Sequence, residues 1–109
     1  MNDKFLNLLG LCKRAGKLSA GHDASFDSIS KNKAKLCLLS FDASPRLKKE
    51  FEETVVYDNR NIPLIHLTYT MQEIQMATGS RAAVMSINDK GFAKKLIELN
   101  NLQHGEDIN

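Results

Sequence analysis

Three histidines, two cysteines and a scatter of serines are the residues of this chain whose chemistry suits a base, a nucleophile or a ligand. None stands in a pattern that such chemistry needs. Ser19, Ser25 and Ser28 occupy no Gly-x-Ser-x-Gly turn that would present a nucleophile. His22, His66 and His104 are scattered, and His66 falls inside a strand pattern that suits a packed or hydrogen-bonded imidazole. His22 reads as a loop residue beside Asp23, yet adjacent residues rarely converge on one substrate atom; the two suit a capping arrangement better. Cys12 and Cys37 form no Cys-x-x-Cys and have no histidine at metal spacing, so they read as reduced core thiols. No Gly-x-Gly-x-x-Gly or Walker segment offers a nucleotide cradle. The sequence therefore points away from an enzyme, with no catalytic residue, no metal site and no cofactor expected.

What remains is positive charge in chosen places. Fifteen Lys and Arg against thirteen Asp and Glu leave a net charge of +2, a balance that permits nucleic-acid binding without requiring it. Lys13, Arg14 and Lys17 cluster where a first helix should end, and Arg81 follows Gly79 and Ser80 in a loop. Arg81 and Lys17, beside Gly79 and Gly21, are expected at one common end of the fold. Lys31, Lys33 and Lys35 alternate into a strand edge and read as solubilising; Lys90, Lys94 and Lys95 read as a solvated helix face. With five Phe, two Tyr and no Trp, mostly at core-facing positions, a stacking platform for single-stranded bases is not expected.

The elements that must position these residues alternate along the chain. Phe5, Leu8, Leu9 and Cys12 make the apolar stripe of a first helix ended by Gly16. Lys17 to Ala20 suits a short strand. Gly21 opens a second helix, with Phe26 and Ile29 as its core side and Asn32-Lys33 as its break. Leu36 to Leu39 is a continuous apolar run, as in a central strand covered on both faces. Ser44-Pro45 starts a helix with Leu47, Phe51 and Val55 inward and Arg46–Glu50, Lys48–Glu52 and Lys49–Glu53 as i,i+4 pairs. After a turn at 58–61, Pro63 to Thr68 reads as a strand. Thr70-x-x-Glu73 is a capping box for a short helix ended by Gly79. Ala82 to Ile87 is a strand, and Asn88-Asp89 caps a last helix with Phe92, Leu96 and Leu99 inward. Residues 1–109 make one domain, with 103–109 a polar, frayed tail. Asp3 and Lys4 open the chain without a signal-peptide pattern, and no run approaches the ~20 apolar residues of a membrane span. A cytoplasmic location is the expectation. Such alternation calls for a central sheet with helices on both faces and its functional loops at one end. The loops concerned lie around Gly21, Ser40 to Ser44, and Gly79 to Ala82.

Three segments carry a family resemblance. Leu8-Leu9-Gly10-Leu11-Cys12-Lys13-Arg14-Ala15-Gly16-Lys17-Leu18, running into Ser19-Ala20-Gly21, is the first. Lys33-Ala34-Lys35-Leu36-Cys37-Leu38-Leu39 with Asp42-Ala43-Ser44-Pro45 is the second. The third is Gly79-Ser80-Arg81-Ala82-Ala83-Val84 with Asp89-Lys90-Gly91-Phe92-Ala93-Lys94-Lys95-Leu96. In this order they resemble the L7Ae/L30e class of ribosomal and kink-turn-binding proteins. The resemblance implies a three-layer α-β-α sandwich around a largely four-stranded mixed sheet. It also implies a structured-RNA partner, kink-turn-like or ribosomal, with ribosome-associated proteins beside it. The residues it singles out for RNA are Arg14, Lys17, Gly21, His22, Asp23, Gly79, Ser80, Arg81 and Ala82.

The departure falls on the family's recognition segment, Gly-x-Asn-Glu-x-x-Lys. Counted from Gly21, the asparagine position holds Asp23, the glutamate position Ala24 and the lysine position Asp27. An amide donor and a carboxylate acceptor are gone, and a cation has become an anion. The family's Leu-Gly in the fourth helix reads Ile74-Gln75. The expectation is an RNA-binding accessory with altered kink-turn recognition; the alternative is a protein-interaction module that kept the fold and lost RNA.

Overall fold

The computed structural model describes residues 3–105. Five helices and four strands follow one another as α1 (Lys4–Arg14), β1 (Leu18–Ala20), α2 (His22–Ser30), β2 (Leu36–Leu39), α3 (Pro45–Thr54), β3 (Leu64–His66), α4 (Met71–Thr78), β4 (Val84–Ile87) and α5 (Lys90–Gly105). A 3-10 turn, Tyr57–Asn59, links α3 to β3. The strands form a mixed sheet in the order β1-β4-β2-β3, with β4 antiparallel to both β1 and β2, and β3 parallel to β2.

Alternation along the central strands divides the core. Leu36 and Leu38 of β2, with Met85 and Ile87 of β4, face Phe5, Leu9 and Cys12 of α1, Ile74 of α4 and Leu96 of α5. Cys37, Leu39 and Val84 face the other way, against Ile29 of α2 and Phe51 and Val55 around α3. Each side chain of this size, once buried, contributes about 1.5–3 kcal/mol. The unbroken apolar run Leu36–Leu39 is thus explained: every residue of β2 is buried because both faces are covered. Burial pushes the Cys12 thiol up to about 11 and the Cys37 thiol to about 12, so both are protonated, inert core groups at neutral pH.

Local signals fix the helix ends. Asp3 caps α1 through Leu6 N at 3.0 Å, and Ser44 caps α3 through Leu47 N at 3.1 Å, with Pro45 in the first turn. Thr70 and Glu73 form the reciprocal capping box of α4. Gly79 then ends α4 in the left-handed region, φ 83°, a conformation that costs glycine least. Asp89 caps α5 through Phe92 N at 2.9 Å. The neighbouring Asn88 instead donates to Ser19 Oγ, joining the β4 end to β1.

Several expectations need correction. Phe26 is 45% exposed rather than inward, because α2 buries its Ser25, Ser28 and Ile29 side. Strands β3 and β4 are shorter than 63–68 and 82–87, since pairing with β2 covers only part of each run. Among the described residues the three i,i+4 pairs of α3 do not form: Glu50 and Glu52 turn to His22 and His66 across the fold. Helix α5 runs through Gly105, so it includes the start of the 103–109 tail; residues 106–109 lie outside the described residues.

Candidate nucleic-acid interface

Strand directions decide which loops meet. The C-terminal ends of β1, β2 and β3 and the N-terminal end of β4 lie along one edge of the sheet. Gly21 N donates to Val84 O at 2.9 Å, and Ser40 N donates to Ala83 O at 2.9 Å. Phe41 N donates to Tyr69 O at 2.7 Å. The loop after β1, the loop after β2 and the α4–β4 loop are therefore tied together by backbone bonds.

Helix α2 begins at this end. Gly21 is its N-cap with φ 97° and ψ 169°, and no side chain caps the helix. A side chain at this φ would be strained, and its absence leaves the first-turn amides open to an outside acceptor. The positive end of the helix dipole points the same way. His22 and Asp23 follow, both exposed, then Ala24. The His22 ring is held between two carboxylates: Nε2 lies 2.7 Å from Glu50 Oε2 and Nδ1 lies 3.1 Å from Asp23 Oδ1. It also stacks on Phe26 and meets the edge of Phe51. The bonds to Glu50 and then Asp23 raise the His22 pKa, which favours the imidazolium that donates from both nitrogens. Asp27, one turn on, pairs with Lys31 at 3.2 Å.

The α4–β4 loop is braced from within. Thr78 Oγ1 bonds Ser80 O and accepts from Ser80 N, and Lys13 Nζ donates to Ser80 Oγ at 3.0 Å. Arg14 lies close by: a Cβ built on Gly10 would sit 3.5 Å from Arg14 Nη1 and 2.6 Å from Ala77 O, where α1 meets the end of α4. Arg81 is exposed. Asp42, in the loop after β2, has its carboxyl held below its ordinary range first by the Met71 amide, with the Arg81 charge the least of the causes. Ala82 is buried and anchors the loop to the core rather than facing outward.

Of the residues singled out in the sequence, Arg14, Gly21, His22, Asp23, Gly79, Ser80 and Arg81 are thus on neighbouring segments, with Ala82 beneath them. Lys17 sits beside the Lys13–Arg14 end of α1, its N donating to Cys12 O at 3.0 Å, but apart from Gly21. It precedes β1 whereas Gly21 follows it, roughly 13 Å away along an extended chain. Lys17 O accepts from Asn88 N at the opposite end of the sheet. Lys13 and Glu50 were missed. Lys13 lay in the recognised basic cluster, but nothing in the sequence links Glu50 to His22, which is 28 positions away.

The arrangement offers open helix amides, a braced glycine loop and mixed charge from Lys13, Arg14, His22, Asp23 and Arg81. Such a surface can receive a polyanion with its own shape. Among the described residues no His, Cys, Asp and Glu group could hold a metal ion, and no helix is long and apolar enough to cross a membrane.

Comparison with known proteins gives a family and a fold. Residues 3–97 match the ribosomal protein L7Ae/L30e/S12e/Gadd45 family. A protein of Enterococcus faecium named RNA-binding protein YlxQ is 38% identical over 96 residues, covering 88% of this chain and 90% of the relative. A protein of the same name from Bacillus subtilis (strain 168) is 33% identical over 101 residues, covering 88% and 94%. Among solved structures, a protein of unknown function from Bacillus halodurans C superposes with a TM-score of 0.77 at 27% identity, over 90% of this chain and 97% of that one. The Giardia lamblia 15.5kD RNA binding protein has the same fold, with a TM-score of 0.67 at 16% identity over 91% and 87%.

Proposed function

The chain belongs to the ribosomal protein L7Ae/L30e/S12e/Gadd45 family, and we propose that it binds structured RNA, without catalysis, through the sheet end built from Gly21 and the α4–β4 loop. One observation carries the proposal. The uncapped N-terminus of α2 is bonded through Gly21 to Val84, so open helix amides stand beside the glycine loop that Arg81 extends. A phosphate can be held by such amides, and a bent RNA can be read by shape across both segments. The names of the two bacterial relatives support the same reading.

Kink-turn recognition is altered in this proposal. Asp23 is exposed and turned toward His22, Ala24 offers no polar atom, and Asp27 is an anion paired to Lys31. Backbone amides and shape, rather than these side chains, supply the affinity. The partner is a cytoplasmic structured RNA, ribosomal or kink-turn-like, bound with a modest preference over plain duplex.

Fluorescence titration of the full chain with a structured RNA at several salt concentrations tests this. Affinity should fall with salt at a slope set by a few neutralised phosphates. Arg81→Ala should weaken binding several-fold with unchanged thermal unfolding. No binding at low salt would refute the proposal.

A further inference from the structure

Lysines that are remote in sequence meet at the other end of the sheet. Lys17 precedes β1, Lys33 and Lys35 precede β2, and Lys90 and Lys94 lie on the first turns of α5. The topology brings all five to the edge where β1 and β2 begin and β4 ends. Lys17, Lys33 and Lys35 rim a shallow polar groove beside α2, floored by Ser19, Ser28 and Asn88. Lys35 also lines the adjoining groove with Lys90 and Lys94. One lysine thus joins two grooves into a continuous strip.

The strip is cationic in effect as well as in composition. All five lysines are exposed, and none forms an ion pair with a described residue. Three acidic groups lie nearby. Asp27 is engaged by Lys31, Asp89 is turned to cap α5, and Glu98 alone stands in the second groove without a pairing among the described residues. The floor is polar and hydrogen-bonded within itself. Ser86 Oγ donates to Asn88 Oδ1, Asn88 Nδ2 donates to Ser19 Oγ at 2.9 Å, and Ser19 and Ser28 share a hydrogen bond of 2.9 Å. Five like charges held at one edge of a chain with net charge +2 repel one another, and a row of phosphates relieves that repulsion.

We propose that this strip is a second RNA-binding surface, which takes the phosphodiester backbone of a helical arm while the Gly21 end holds the structured element. The groove beside α2 includes Ala24 and Asp27, so the two surfaces are continuous along that helix. The strip rests on the reading of the chain as an RNA binder but uses different residues from it. Spaced lysines with no stacking aromatic between them suit a sequence-independent contact with phosphates.

The test compares the parent with Lys17→Gln/Lys35→Gln/Lys94→Gln and with a control of equal charge change on other faces, Lys4→Gln/Arg46→Gln/Lys49→Gln. The probe is a structured RNA carrying a duplex arm, titrated at several salt concentrations, with thermal unfolding of each protein recorded. If three phosphate contacts are lost, the slope of log affinity against log salt should become shallower by about 2–3. Binding at 0.1 M salt should weaken at least tenfold, while the control stays within about threefold of the parent. Equal losses in both triple variants would reduce the effect to net charge and overturn the proposal. Parent-like binding by the strip variant would overturn it too and leave the Gly21 interface standing. Failure of the parent to bind RNA at low salt would overturn both.

Discussion

Restoring the family residues in the recognition segment, by Asp23→Asn, Ala24→Glu and Asp27→Lys together, should tighten binding to a kink-turn at least tenfold. The largest change is electrostatic. Asp27 is 56% exposed at its side chain and lies 3.2 Å from Lys31, so a lysine there swings the local charge by two units. A unit pair at ~4 Å is worth about 1 kcal/mol in water and about 4 at an effective dielectric of 20. For a half-exposed site the lower figure governs, giving about 2 kcal/mol for the swing. Losing the Asp27–Lys31 pair and setting two lysines one turn apart offsets at most about 1 kcal/mol. Asp23→Asn adds an amide donor and Ala24→Glu an acceptor. Each base-edge contact regained is worth ~1–3 kcal/mol, by analogy with bidentate readout of DNA. The sum exceeds the ~1.4 kcal/mol of a tenfold change even if only one contact forms. The assay is titration of parent and triple variant against one kink-turn and its G·A-disrupted control. Nanomolar parent binding that the control abolishes would refute the reading of these positions. A folded triple variant that gains nothing would refute the proposed recognition surface and favour a protein-interaction role.

Three further outcomes follow from the same geometry. Because its carboxylate partners raise the His22 pKa, the contribution of His22 to stability is complete below about 6.5 and fades as pH rises through the folded value. Glu50→Gln should flatten thermal stability measured between pH 6 and 8, by under about 1 kcal/mol at so exposed a site. Gly10→Ala should cost about 1–3 kcal/mol in denaturant unfolding, since the new methyl would meet the Ala77 carbonyl at 2.6 Å and neither helix backbone gives easily. Thr70→Ala removes the hydroxyl half of the α4 capping box and should lower stability by about 1 kcal/mol, read as a shift in the denaturation midpoint.

The local parts of this fold were legible in the sequence because local chemistry sets them. Ser44-Pro45, Thr70 with Glu73, Gly79, and the Leu36–Leu39 run each state a boundary or a burial pattern within a few residues. Periodicity failed for Phe26, because a short helix whose inner side carries Ser25 and Ser28 offers little apolar contrast. Lys17 was misplaced for a topological reason. A three-residue strand separates it from Gly21, and nearness in sequence across a strand means opposite ends of a sheet. The partners of Glu50 and Glu52 were hidden because helical spacing supplies nearby lysines and arginine, whereas the actual contacts cross from α3 to α2 and β3. The lysine strip was invisible for the same reason: its members come from three separated segments, each ordinary alone.

The most direct measurement is the response of backbone amide resonances in the full chain as a structured RNA is added at low salt. RNA bound at the proposed end should shift Gly21 to Ala24, Gly79 to Ala83 and the Lys13–Arg14 end of α1 first and most, with the 3-10 turn unmoved. Shifts confined to the 3-10 turn, or a spectrum unchanged by excess RNA, would contradict an RNA interface at the Gly21 end of the sheet.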